Sequence, residues 1–109
     1  MRKATVLFKG EEAADIWQEK DGSFGFRYRD AWFADPLRPS IIFRMPKSQQ
    51  EYRSEHLFAY FFSILPEGGF RKRLCRDLKI DEDDDFGLLL RLAVEDATGA
   101  ITLKDVEDV

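Results

Sequence analysis

The sequence predicts an α+β domain: a small antiparallel β-sheet followed by about three helices and a final strand. Three observations carry that expectation. Up to Met45, apolar side chains fall at alternate positions and are interrupted by turn residues. From Ser54 onward they recur at helical spacing instead. The chain is 109 residues long, enough to build one hydrophobic core and not two.

The first strand is expected over Ala4 to Phe8, with Ala4, Val6 and Phe8 on one face. Gly10-Glu11 reads as a turn into a second strand near Glu12 to Glu19, where Ile16 and Trp17 supply the apolar mass, so the two should form a hairpin. Asp21-Gly22 tolerates the positive φ values of a type I′ turn, and Phe24, Phe26 and Tyr28 follow at alternate positions as a third strand. The segment Asp30 to Pro39 holds two prolines and Trp32 and reads as a short turn or helical piece before a fourth strand at Ser40 to Met45.

Beyond Pro46 the pattern becomes helical. Ser54 suits an N-cap, and Leu57, Phe58, Phe61, Phe62 and Leu65 form one buried stripe that ends at Pro66. Ser48-Gln49-Gln50-Glu51 has capping-box form and offers an earlier start. The loop Glu67-Gly68-Gly69 leads into a second helix with Phe70, Leu74 and Leu78 on one face and Arg71, Lys72, Arg73 and Arg76 on the others. A third helix should follow the acidic run Asp81 to Asp85, whose carboxylates favour the positive end of a helix dipole. Phe86, Leu89, Leu90 and Ala93 form its core stripe, with Leu88 and Leu92 on another face. Gly99 to Leu103 reads as the last strand, before an acidic tail.

A formal net charge of -4 argues against a chain that holds DNA phosphates by itself, which takes a surplus of Lys and Arg. Any DNA contact should come through a partner. The single cysteine, Cys75, excludes an internal disulfide, and no apolar run approaches the ~18–20 residues of a membrane span. The basic start Met1-Arg2-Lys3 is soon followed by Lys9, Glu11 and Glu12, unlike a signal peptide, so a cytoplasmic protein is expected.

No catalytic, metal or cofactor site emerges from the motifs. Asp85-Phe86-Gly87 spells the magnesium-holding triplet of protein kinases, but the required lysine, catalytic base and glycine-rich lid are not arranged around it; helix capping with a core Phe86 accounts for it. Asp81, Asp83 and Asp85 alternate as in a calcium loop, yet Phe86 stands where the sharp turn needs glycine and Leu92 where a bidentate Glu is needed. His56 has no matching Cys or His cluster, and Cys75 has no designated base. The basic cluster Arg71, Lys72, Arg73, Arg76 and Lys79 reads as a solvated helix face, as a dock for an acidic protein surface or as a phosphate contact. In the loop before it, two glycines permit close backbone approach, and Phe70 reads as core first and as an exposed anchor second.

Ser54-Glu55-His56-Leu57-Phe58-Ala59-Tyr60-Phe61-Phe62-Ser63-Ile64-Leu65-Pro66-Glu67-Gly68, then Arg71 to Leu74, Phe86 to Leu90 and Asp96 to Leu103, resemble the N-terminal subdomain of HipA-type toxin kinases. The resemblance spans nearly the whole chain, so residues 1–109 are expected to form one such domain. One departure is Val94-Glu95, where HipA-type proteins commonly carry Gly-Arg. HipA continues into a kinase core, whereas this chain stops at Val109, a layout similar to HipS antitoxins of three-component HipBST systems. The resemblance implies a non-enzymatic antitoxin that binds and neutralises a HipT-like serine/threonine kinase, with a HipB-like DNA-binding protein reached through the complex. It leaves open a structural or assembly subdomain of a HipA-type kinase complex without inhibitory activity. The kinase contact is expected at Glu67, Gly68, Gly69, Phe70, Arg71, Arg73 and Arg76, with Leu88 and Leu92 as a second surface.

Overall fold

A computed structural model describes residues 1–42, 44–95 and 100–106. Strands β1 (Arg2–Phe8), β2 (Glu11–Gln18) and β3 (Phe24–Tyr28) run into a short helix α1 (Asp30–Ala34) and a strand β4 (Glu51–Ser54). Helices α2 (Ala59–Ser63), α3 (Gly68–Leu78) and α4 (Asp85–Glu95) follow, then β5 (Ile101–Val106). The strands form one antiparallel sheet in the order β4-β3-β2-β1-β5, so the last strand pairs with the first. This is the α+β architecture expected, with five strands.

Alternation sorts the sheet into two faces. Ala4 and Val6 of β1, Ala14 and Ile16 of β2 and Phe24, Phe26 and Tyr28 of β3 are buried on the face toward the helices. Phe26 is the hub, with ring centroids 5.1 Å from Tyr28, 6.4 Å from Phe58 and 6.3 Å from Phe61. On the opposite face Trp17 lies across Gly25, its partner in register. A Cβ at residue 25 would sit 2.2 Å from the Trp17 ring, so only glycine fits. The Arg53 guanidinium covers the other side of that ring at 5.7 Å.

The turn chemistry is distributed differently from the expectation. Lys9 (φ 51°) and Gly10 (φ 85°) both take positive φ, so the two-residue primed turn sits in the first hairpin. In the second, Gly22 alone is positive, at φ 92°, and its N–H donates to the Glu19 carbonyl. That is a three-residue loop closed by a bulge, in which the Asp21 carboxylate accepts from the Ser23 N–H and hydroxyl.

The expected fourth strand at Ser40 to Met45 is corrected. None of its described residues is in a strand. The backbone there is tied to a side chain: the Tyr28 hydroxyl donates to the Met45 carbonyl (2.6 Å) and accepts from the Ile41 N–H (3.2 Å), groups that a ladder would need. Strand β4 forms instead from Glu51 to Ser54, so Ser54 ends a strand and does not cap a helix; its hydroxyl accepts from the His56 N–H in a local turn. The long aromatic helix reduces to the five residues of α2, with Leu57, Phe61 and Leu65 buried around it.

Asp84 begins α4. Its carboxylate accepts from the Gly87 N–H at 3.0 Å and its carbonyl from the Leu88 N–H at 3.1 Å. Arg2 of β1 binds the same carboxylate at 2.6 Å and stacks on Phe86, 5.4 Å from the ring centroid. A Cβ at residue 87 would lie 2.2 Å from Asp84 Oδ2, which explains the glycine of the Asp85-Phe86-Gly87 triplet: it makes room for a cap and an ion pair. The hydrogen bond from Arg2 holds the Asp84 carboxyl below its ordinary value of 3.8. A carboxyl with a lowered folded pKa stabilises the fold above its unfolded pKa and loses that stabilisation as pH falls through the folded value. The melting temperature of Asp84→Asn should therefore lie below that of the parent at neutral pH, and the gap should close in acid below pH 3.8. A gap constant with pH would show that the ion pair contributes nothing.

Candidate partner-binding surface

Side chains that the core leaves outside cluster along α2 and the start of α3. Phe62 is 47%, Ile64 50% and Phe70 65% exposed, within nine residues of chain. The reason is local. Because α2 is only five residues long, it turns Phe61 inward and Phe62 outward, and Ile64 falls at its C-cap, while Leu65 closes onto the core. Gly68 then opens α3 at φ 63°, a left-handed value, with open space around it and around Gly69. Phe70 sits in the first turn of α3 and points to solvent, which corrects its first reading as core; the inward face of α3 is made by Leu74, Cys75 and Leu78.

The basic cluster divides in two. Arg71 is only 15% exposed, and its guanidinium donates to the Asp85 carboxylate and the Glu82 carbonyl, both at 2.6 Å. The hydrogen bond to Asp85 raises the Arg71 pKa above its ordinary value, and the two contacts clamp α3 to the segment that opens α4. Lys72, Arg73 and Arg76 remain exposed on the same helix, and Glu67 and both glycines are exposed at its start. The second expected surface does not open outward: Leu88 is fully buried and Leu92 is half-buried against the core.

Phe62 lines a groove of about 550 Å³ together with Phe24, Glu55, His56, Asp83 and Asp85, so that groove has an acidic border. Of the residues expected from sequence, Glu67, Gly68, Gly69, Phe70, Arg73 and Arg76 are exposed, whereas Arg71 is turned onto Asp85, Leu88 is buried and Leu92 is half-buried. Phe62, expected in the buried helical stripe, and Ile64 are exposed as well. Ile64 lies off the Leu57-Phe61-Leu65 period, which is a legible signal; Phe62 lies next to Phe61 and depended on where the helix starts. Such a surface can anchor a protein partner. Among the described residues no group of three His, Cys, Asp or Glu side chains is placed to hold a metal ion, and no helix is long and apolar enough to cross a membrane.

Residues 4–104 match the model of the HipA N-terminal domain family. The chain belongs to that family. The HipA match is to the N-terminal domain and not to a kinase domain. A solved structure of the N-terminal domain of HipA toxin superposes with a TM-score of 0.70 at 29% identity, covering 100% of this chain and 96% of that one. An uncharacterized protein of Haemophilus influenzae is 30% identical over 105 residues, which is 96% of this chain and 93% of that protein. The "Putative kinase Y4mE" of Sinorhizobium fredii is 28% identical over 103 residues, 94% of this chain, and the chain spans 24% of the length of Y4mE. The HipA-like segment Asp96-Ala97-Thr98-Gly99 lies outside the described residues; of the strand expected from Gly99 to Leu103, Ile101 to Leu103 lie in β5, which runs on to Val106.

Proposed function

We propose that this HipA N-terminal domain is an antitoxin that binds and neutralises a HipT-like serine/threonine kinase in the cytoplasm. The exposed side chains of Phe62, Ile64 and Phe70 carry this reading: exposed aromatic and aliphatic groups with exposed arginines in the same stretch of chain have the composition of binding hot spots, and no described part of the fold buries them. The relatives support it from a second direction. A domain that forms a quarter of a protein named as a kinase also makes up nearly all of the Haemophilus influenzae protein. In this reading the chain does no phosphotransfer, and a HipB-like DNA-binding protein joins through the complex without direct DNA contact by this chain.

Co-expression with a HipT-like kinase tests the proposal. Growth should be restored by the folded chain, and the two proteins should co-elute after purification. A complex that forms while growth stays arrested would favour an assembly subdomain without inhibitory activity, the role that Y4mE's longer chain suggests. Neither rescue nor complex would remove both readings.

A further inference from the structure

We propose that the chain self-associates through the free edge of β4, pairing antiparallel with the β4 of a second copy about a two-fold axis at Tyr52. Strand β4 ends the sheet order, and its pairing with β3 decides which of its backbone groups are free. The Tyr28 N–H donates to the Gln50 carbonyl, so Tyr28 and Gln50 face each other as a hydrogen-bonded pair. Alternation then points the backbone groups of Tyr52 and Ser54 toward β3 and those of Glu51 and Arg53 outward. The Glu51 carbonyl is met by the Gln49 side-chain amide, as an outward carbonyl would be. The N–H of Glu51 and both backbone groups of Arg53 therefore point away from β3, along the outer edge of the sheet. Such a row is a template for another strand.

What selects a second copy is charge. A two-fold axis at Tyr52 sets Glu51 opposite the partner's Arg53 and Arg53 opposite the partner's Glu51, two hydrogen-bonded pairs of opposite charge on one face. Both residues already lie on that face: Arg53 Nε is 2.9 Å from Glu51 Oε2 within the chain. The two Tyr52 residues meet on the other face, beside a mostly apolar groove of about 490 Å³ lined by Ile42, Met45, Tyr52, Phe58 and Tyr60. Four residues of strand per copy make a small interface, so the association belongs with weak, transient contacts of under about 1,200 Å². It joins the sheets of two copies and leaves the α2–α3 strip free on each.

The test is analytical ultracentrifugation of the purified chain over a concentration series, with charge-swapped variants. The parent should show a concentration-dependent dimer. Arg53→Glu sets Glu opposite Glu and should weaken it at least tenfold, while the double change Glu51→Arg, Arg53→Glu should restore it. Arg27 faces Glu51 across β3, so melting must show that each variant stays folded. A mixing experiment holds even if the single variant fails to fold: the double variant should pair with itself and exclude the parent, because every mixed pair sets like charges together. A parent that stays monomeric at every concentration, or a double variant that pairs freely with the parent, would overturn the proposal.

Discussion

Phe26→Ala is expected to destabilise the fold by about 4 kcal/mol, in the range for emptying a large aromatic site in a core. The ring is fully buried on the helix-facing side of β3 and touches Tyr28 of the same strand and Phe58 and Phe61 at the start of α2. Domains of this size are stable by about 5–15 kcal/mol in total, so the loss is a large share and should lower the melting temperature by more than about 15 °C. Phe70→Ala serves as the reference, because its ring is largely in water and its removal should cost less than about 0.5 kcal/mol. Urea unfolding of the two variants reads the contrast directly. Equal losses would mean that the core is not centred on Phe26.

The second large effect is on binding. With the proposed HipT-like kinase as partner, Phe70→Ala should weaken the complex by about 2 kcal/mol or more, roughly thirtyfold in Kd, and Phe62→Ala by a comparable amount. Arg73→Glu combined with Arg76→Glu should act mainly by slowing association, since both side chains stand exposed at the rim. Arg71→Glu is a poor probe: it would break the clamp to Asp85 and Glu82 and so confuse folding with binding. Surface plasmon resonance separates the two rate constants. Unchanged affinity in both the phenylalanine and the arginine variants, with melting curves like the parent's, would place the kinase contact elsewhere.

The strands with strict alternation were legible because period two needs no tertiary information: Phe24, Phe26 and Tyr28 point inward as their spacing requires. The fold class and the helix after the acidic run were legible for the same reason. What failed was the stretch from Ser40 to Leu65. There the deciding interactions are a tyrosine hydroxyl gripping two backbone groups and a four-residue edge strand, and neither leaves a periodic trace. The misplaced helix start then carried Phe62 inward on paper. The loop and basic helix of the candidate surface were found from Gly68, Gly69 and the arginines, but no spacing rule distinguishes Arg71, turned back onto Asp85, from Arg73 and Arg76.

The pairing of β1 with β5 sets an order of events during synthesis. Lys3 faces Val106 and Phe8 faces Ile101, so β1 lies between β2 and a strand about a hundred residues later. On the ribosome, where chain emerges N-terminal end first at about 5–20 residues per second, β1 and β2 can zip within their hairpin while one side of β1 still lacks its neighbour. For those seconds the nascent chain displays an open strand next to unfilled apolar ground. Any partner that needs the finished sheet has to wait until β5 has emerged and paired with β1.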